Sequence, residues 1–412
     1  MAPEGKMLIF ENDYYKLYHN EQESEFCVIT FTSFDAQERN TNTYFLQSPS
    51  KKLNLNTFGI VAKTDCWYMR SEFLEVLEIL RNNIPSGQKK LLFGSSMGGF
   101  AAVKYSKILT ADYVLALAPQ FSLDRSQLDC DSFYNQFYKE YMRGMKPTLD
   151  ETSGKIYILY DPSKDHEDET NFLRIQNVIP TVIGIKIFYA GHLVMNSLKG
   201  TDNFRKILDA LHDEQSLRRT FHSIRRHNKS NLERLVLSAS ERHPGMACSC
   251  LFSPNSISSG ASYKLVSNRD FRKSLFNHLI DNGNLFKIFD FMSNFYIRSS
   301  NIYFDGNVKS GEFFVFSYFG DQLHFSPETG RFSVEDRNTR IYPVIFDKKY
   351  NALFYRDLSG KAKITGNIKL EMDDHFFAVN FNNHYLSALP NGHIADDRHE
   401  AWHWEKFLLV PA

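Results

Sequence analysis

Ser96 stands in Leu91-Leu92-Phe93-Gly94-Ser95-Ser96-Met97-Gly98-Gly99-Phe100, where an apolar run meets a Gly/Ser turn and a second apolar run. A G-x-S-x-G spacing at a strand-to-helix junction holds the serine on a strained turn and lifts its hydroxyl above the carboxyl edge of a sheet. Glycine is required on both sides because the backbone there passes close to its neighbours. The next amide, that of Met97, then points at a developing oxyanion from a helix N-terminus. The chemistry that fits is attack on an acyl carbon through a covalent acyl-serine.

Such a serine needs a base and an orienting acid, in the chain order Ser, Asp/Glu, His. His192, in Ala190-Gly191-His192-Leu193, follows the apolar run 182–188 and is the candidate base. The acid should leave the end of the apolar run 155–160, within Asp161-Pro162-Ser163-Lys164-Asp165-His166-Glu167-Asp168. Asp165 has room to curl back over a sheet and is favoured. Asp161 is the alternative, and otherwise caps the turn with Pro162. The rest of the acidic run reads as a solvated loop, and no metal site is expected there. A second oxyanion amide should come from Thr32-Ser33-Phe34-Asp35, and Phe34 is the candidate.

The elements that must position these groups are short apolar runs alternating with helical patterns up to residue 212. Residues 26–31, 57–62, 90–93, 113–118, 155–160 and 182–188 read as buried strands. Residues 71–81 read as a helix with Phe73, Leu74, Leu77 and Leu80 on one face, and 100–109 as another. Alternation of this kind predicts an α/β unit with a mostly parallel sheet covered on both faces. Residues 120–150, with Phe133, Tyr134, Phe137, Tyr138 and Tyr141, are expected to form a helical cap over the site.

Residues 213–295 predict a helical connector. Leu217, Phe221, Ile224, Leu232 and Leu235 recur at helical spacing, a Ser/Pro/Gly/Asn-rich loop covers 253–262, and a helix follows over 271–292. Residues 296–412 are rich in aromatic and β-branched residues and repeat weakly. Gly330, Gly360 and Gly392 end similar stretches about 30 residues apart, each reading as a hairpin whose glycine needs a positive φ. Three such units predict an all-β trefoil.

The chain has 412 residues, and lysine plus arginine balance aspartate plus glutamate at 48 each, which removes any whole-molecule attraction to nucleic acid. Five cysteines, an odd number without paired CxxC motifs, argue against zinc and for a reducing compartment; Cys248-Ser249-Cys250 is not read as a metal site. No signal peptide or transmembrane run is expected, so the expected location is cytoplasmic. Oligomeric state is not specified.

Residues 1–212, with their GSSMGG elbow, resemble the α/β-hydrolase superfamily. The elbow together with Leu117-Ala118-Pro119-Gln120 is also similar to bacterial surface-polysaccharide acyl enzymes, some of which acetylate glycans with the same triad. The end of the chain resembles a fascin-type β-trefoil repeat through Tyr385, Leu386, Gly392, Ala395, Trp404, Glu405 and Phe407. This resemblance implies a binding module for carbohydrate, with Tyr385, Trp402 and Trp404 as candidate stacking aromatics. The resulting expectation is a serine esterase or deacylase acting on an ester-bearing glycan, without a cofactor. The first alternative is a polysaccharide O-acetyltransferase whose acetyl-CoA donor would meet Arg218, Arg219, Arg225 and Arg226. The second is a non-catalytic glycan-binding scaffold.

Overall fold

The computed structural model describes residues 7–129, 131–163, 167–282, 287, 312–317, 321–334, 340–347, 349–350, 352–366, 368–373, 376–389, 393–401 and 405–411. The chain divides into two compact units, Met1–Arg234 and Leu235–Ala412.

The first unit is built on an eight-stranded sheet. Its strands are β1 (Met7–Glu11), β2 (Tyr15–Asn20), β3 (Phe26–Phe31), β4 (Asn56–Ala62), β5 (Lys89–Ser95), β6 (Tyr113–Leu117), β7 (Lys155–Tyr160) and β8 (Ile183–Lys186). They lie in the order β1-β2-β4-β3-β5-β6-β7-β8. Strands β3 to β8 are parallel, while β2 runs antiparallel to both β1 and β4. This is a mixed α/β unit with a mostly parallel sheet. In β3, Cys27, Ile29 and Phe31 enter one core and Phe26 and Val28 the other, so the sheet is buried on both faces.

Helices α1 (Gln47–Lys52), α2 (Phe73–Asn83), α3 (Met97–Lys104), α4 (Asp168–Val178), α5 (Met195–Leu198), α6 (Thr201–Ala210) and α7 (Glu214–His227) cover it. The apolar faces of α2, α3 and α4 fill one core, and those of α6 and α7 the other. On α2 the buried face is Phe73, Val76, Leu77 and Leu80, whereas Leu74 is exposed. Val76 takes the place expected of Leu74 because position i+3 from Phe73, and not i+1, shares its face. The first unit also extends past the expected boundary at 212. Leu217, Phe221 and Ile224 of α7 are buried in its core, and each such side chain contributes roughly 1.5–3 kcal/mol by burial.

The second unit begins within α8 (Lys229–Arg242) and continues through α9 (Pro244–Leu251), α10 (Pro254–Ser258), α11 (Ala261–Ser267) and α12 (Arg269–Asp281). The loop expected over 253–262 is instead largely helical. Ser253 accepts a hydrogen bond from the Ser256 amide with Pro254 in the first turn, a helix start, and Gly260 at φ +76° separates α10 from α11. Twelve strands follow among the described residues: β9 (Glu312–Ser317), β10 (His324–Ser326), β11 (Arg331–Ser333), β12 (Tyr342–Pro343), β13 (Ile345–Asp347), β14 (Ala352–Arg356), β15 (Ala362–Ile364), β16 (Ile368–Asp373), β17 (Phe376–Phe381), β18 (His384–Ala388), β19 (Ile394–Arg398) and β20 (Lys406–Pro411). Val236, Leu251, Leu275 and Leu279 share a core with Phe314, Phe316, Ile345 and Phe354, so these helices and strands make one unit. Gly330 and Gly360 have φ of +67° and +77°, as their turns require. Gly392, Trp402 and Trp404 lie outside the described residues. No helix among the described residues is long and apolar enough to cross a membrane.

The first unit hides several weak acids from water. Burial pushes Tyr44 up to about 12 from 10.0 and Cys27 up to about 12 from 9.0. Tyr15, Tyr68 and Tyr105 are also pushed up, first by burial. For a group whose folded value is raised, the stability it contributes is complete below its unfolded value and is lost as pH rises through the folded one. The urea midpoint should therefore hold steady from pH 7 to about 9 and fall progressively above about 10. A midpoint that stays level to pH 11.5 would contradict this.

Candidate functional site

Ser96 sits between β5 and α3 with φ +53° and ψ −117°. Its own amide donates to the Leu117 carbonyl at 2.7 Å, and its carbonyl accepts from the Phe100 amide at 2.9 Å. The turn is tight enough to need its glycines. A Cβ on Gly94 would stand 2.1 Å from the Gly98 carbonyl oxygen, and one on Gly98 would stand 2.5 Å from the Phe31 oxygen. The expected helix over 100–109 starts earlier, at Met97, and ends at Lys104. Ser96 is consequently at the helix N-terminus, where the first amides lack intrahelical partners and the dipole favours negative charge.

His192 lies beyond β8, on a segment that enters through Tyr189 at φ +63° and Gly191 at φ +69°. Its Nε2 is 3.2 Å from Ser96 Oγ, and its Nδ1 is 2.7 Å from Asp168 Oδ1. Asp168 is the first residue of α4 and only 3% exposed. A carboxylate there is favoured by the helix N-terminus and fixes the tautomer: Nδ1–H donates to Asp168, leaving Nε2 as the acceptor facing Ser96.

Asp168 thus stands against His192 where Asp165 or Asp161 was expected. Asp165 lies outside the described residues. Asp161 does not touch His192; it accepts from the Ser163 amide at 3.1 Å and the Gly191 amide at 2.7 Å. It caps its turn and ties down the segment carrying His192. The sequence contains Asp168 within the acidic run, and its signal is position: a carboxylate opening the helix after β7 is aimed along the carboxyl edge of the sheet.

Further groups brace the His192 segment. Asn231 donates to the Phe188 carbonyl at 3.0 Å, Arg225 to the same carbonyl at 3.4 Å, and Arg234 to the Ala190 carbonyl. Arg218 donates to the Gly184 carbonyl at 2.9 Å and pairs with Glu214. Arg218 and Arg225, expected on a phosphate-attracting face, are therefore engaged in holding β8 and the chain after it.

The candidate oxyanion groups are placed in part. Met97 opens α3 and is fully buried. Phe34 lies after β3, its ring 4.8 Å from that of Phe137 and 5.7 Å from that of Trp67. The Phe31 and Thr32 carbonyls press on Gly98, so the segment leading to Phe34 runs beside the elbow.

The expected helical cap is a series of single 3-10 turns instead, among them Phe133–Phe137. A Ser132–Asn135 capping box starts that turn, and the Phe133 amide donates to Glu167, the residue before Asp168. Tyr134 delivers its hydroxyl to within 2.9 Å of His192 Nε2, and burial, with the charges of Asp168 and Glu167, pushes that phenol up to about 12. It stays protonated at neutral pH and donates to Nε2.

One more polar side chain reaches the serine. Gln120, 1% exposed, donates from Nε2 to Ser96 Oγ at 2.9 Å and accepts from Trp67 Nε1 at 3.2 Å. Its sequence signals are its place just after β6 and the Leu117-Ala118-Pro119-Gln120 motif, neither of which assigns it a role.

No protein-family model matches the chain, and no curated protein matches it. Among solved structures it is similar to the capsule O-acetyltransferase of Neisseria meningitidis serogroup A, with 16% identity over 48% of this chain and 92% of that one and a TM-score of 0.33. A fluorophosphonate-binding serine hydrolase of Staphylococcus aureus shares 12% identity over 51% of this chain and 91% of its own, with a TM-score of 0.31. Est1E from Butyrivibrio proteoclasticus shares 12% identity over 56% of this chain and 99% of its own, with a TM-score of 0.29.

The elbow glycines give a direct test. Gly94→Ala and Gly98→Ala force Cβ into backbone oxygens and should each destabilise the first unit by on the order of 3 kcal/mol. Gly99→Ala, whose Cβ would lie 3.2 Å from the Leu117 oxygen, should cost clearly less. Chemical denaturation of the three variants checks the ranking, and equal losses would refute it.

Proposed function

We propose that this protein is a serine acyl-transfer enzyme working through an acyl-Ser96 intermediate. The observation that carries the proposal is the continuous run from Ser96 Oγ to His192 Nε2 at 3.2 Å and from His192 Nδ1 to Asp168 at 2.7 Å. Ser96 Oγ attacks the acyl carbon while its proton passes to His192 Nε2, and the leaving group departs with that proton. The charge developing on the acyl oxygen is met by the Met97 amide and, in this proposal, that of Phe34. Asp168 orients the imidazole and stabilises it once charged. In the second half-reaction an acceptor hydroxyl gives its proton to Nε2, attacks the acyl carbon, and Oγ is released and reprotonated.

Hydrolysis of an ester, with water as acceptor, is the first form of this proposal. Transfer to an alcohol is the second, and a specific contact favours it: the Tyr134 hydroxyl already stands where an acceptor hydroxyl would donate to Nε2. In the transferase form, acetyl-CoA would serve as donor substrate. We further propose that the β-rich unit is a trefoil presenting carbohydrate. In support, β9 pairs with β13 and β20, β13 with β14, and β17 with β16 and β20. Strands β15 and β19 end that sheet as the outer members of the hairpins β14–β15 and β18–β19, and β10–β11 forms a hairpin in a separate three-stranded sheet. The glycine turns at 330 and 360 repeat the same backbone sign.

Brief exposure to acetyl-CoA, and separately to p-nitrophenyl acetate, followed by intact mass, tests the chemistry. An acetyl-sized gain in the wild type and none in Ser96→Ala is expected. A gain from acetyl-CoA selects transfer, one from the ester alone selects hydrolysis, and no Ser96-dependent gain from either overturns the proposal.

The acid assignment is tested separately. Asp168→Asn should lower turnover by roughly 10⁴-fold, since the wrong imidazole tautomer would face Ser96. Asp161→Asn keeps one oxygen acceptor for the Gly191 amide and should cost far less. Steady-state rates with the same ester decide; the reverse ranking would return the role to Asp161.

A further inference from the structure

Two buried side chains beside the triad are held in place by strained backbone. Trp67 and Tyr68 have φ of +45° and +57°, and Ala118, two residues before Gln120, has φ +44°. Side chains at such angles cost on the order of 1–3 kcal/mol each and persist only where packing imposes them. Trp67 and Gln120 meet there, fully enclosed, and make one hydrogen bond to each other.

That bond has only one polarity. Indole Nε1 can donate but not accept, so Gln120 must turn its oxygen to Trp67 and its NH₂ to Ser96. With Oγ accepting from Gln120 at 2.9 Å, the serine proton has His192 Nε2 as its acceptor once Tyr134 leaves that lone pair. The orientation of the Gln120 amide is thereby fixed, with Trp67 on its oxygen and Ser96 on its nitrogen.

We propose that Gln120, pinned by Trp67, is a further catalytic residue whose amide N–H holds Ser96 Oγ as it leaves the acyl group. This inference rests on the acyl-serine reading. Before acylation Oγ is an alcohol oxygen and already accepts the Gln120 bond, so that bond gains little on attack. In the acyl-enzyme Oγ is an ester oxygen, a poor acceptor. As the acceptor hydroxyl bonds to the acyl carbon and the C–Oγ bond breaks, negative charge returns to Oγ until His192 delivers the proton taken from the acceptor. The Gln120 bond strengthens during that step alone, and only interactions that strengthen toward the transition state accelerate it. Gln120 therefore serves release of the acyl group more than its capture.

Burst kinetics and quenched intact mass with p-nitrophenyl acetate separate the two steps. Gln120→Met, similar in shape but without a donor, should keep the acylation rate within about threefold while deacylation falls about tenfold or more, so that acetyl-enzyme accumulates. Gln120→Glu should slow acylation as well, because a carboxylate accepts the serine proton and turns it from His192. Trp67→Phe removes the pin and should slow deacylation less than Gln120→Met does. The double variant Gln120→Met/Trp67→Phe should be no slower than Gln120→Met, since both act through one bond. Where Gln120→Met does not fold, Trp67→Phe carries the test by the same asymmetry. Unchanged deacylation, or acylation and deacylation falling in parallel, would overturn the role of Gln120 while leaving the triad standing. A wild type never acylated at Ser96 would instead bring down the acyl-serine reading and this inference with it.

Discussion

A serine held at φ +53° does not stay there by its own preference. Its conformation is imposed by close approach: Gly98 lies against the Phe31 carbonyl, Gly94 against Gly98, and Gly99 against Leu117. Three neighbouring parallel strands, β3, β5 and β6, thus meet at one turn, and none of these contacts tolerates a side chain without movement. Because β5 is flanked by β3 and β6 along its length, the whole parallel sheet fixes where the hydroxyl emerges. The same edge collects further left-handed residues, at Asp35, Trp67, Tyr68, Ala118 and Tyr189. Their loops follow β3, β4, β6 and β8, so the strain is concentrated where the strands end at the site.

Enclosure gives these polar contacts their strength and also their risk. Ser96, Asp168 and Gln120 are at most 5% exposed, and an unpaired polar atom in such surroundings costs roughly 1–3 kcal/mol. From Trp67 through Gln120 to Ser96, and from His192 to Asp168, the groups are accordingly arranged donor to acceptor, while Tyr134 and Ser96 share His192 Nε2. The support reaches beyond the sheet. Arg218, Arg225, Asn231 and Arg234 lie C-terminal to the last strand of the sheet, yet they hydrogen-bond carbonyls from Gly184 to Ala190. On α7, Leu217, Phe221 and Ile224 fill the core while Arg218 and Arg225 hold the path to His192.

Much of this is legible in the sequence, for specific reasons. The elbow is, because Gly94, Ser96 and Gly98 must stand at fixed spacing between an apolar strand and an apolar helix. The six parallel strands are, because burial on both faces leaves short continuous apolar runs. Asp168 is hidden because four carboxylates stand within eight residues, and only the start of α4 singles one out. Strand β2 is hidden because Lys16, His19 and Asn20 interrupt its apolar residues, so no continuous buried run stands out. In 253–262 serine, proline and glycine read as loop residues, although Ser-Pro at a helix start and Gly between helices are also capping signals. Gln120 stands in the Leu117-Ala118-Pro119-Gln120 motif, but nothing there assigns it a role, which emerges only where Trp67, 53 residues away in sequence, meets it.

Tyr134 shows how these constraints converge on the choice of acceptor. Its hydroxyl is 2.9 Å from His192 Nε2, closer than Ser96 Oγ at 3.2 Å, and also within reach of Ser96 and Gln120. A phenol that stays protonated to about pH 12 donates to Nε2 and competes with the serine for the same lone pair. Any acceptor hydroxyl must take that position, so it must displace a ring packed against Trp67 and Phe133. Water gains little from displacing it, because a single molecule cannot replace the aromatic contacts. An acceptor with its own ring or apolar face can restore them. The ring that closes the resting site therefore sets the cost that either acceptor in the proposal, water or an alcohol, has to meet.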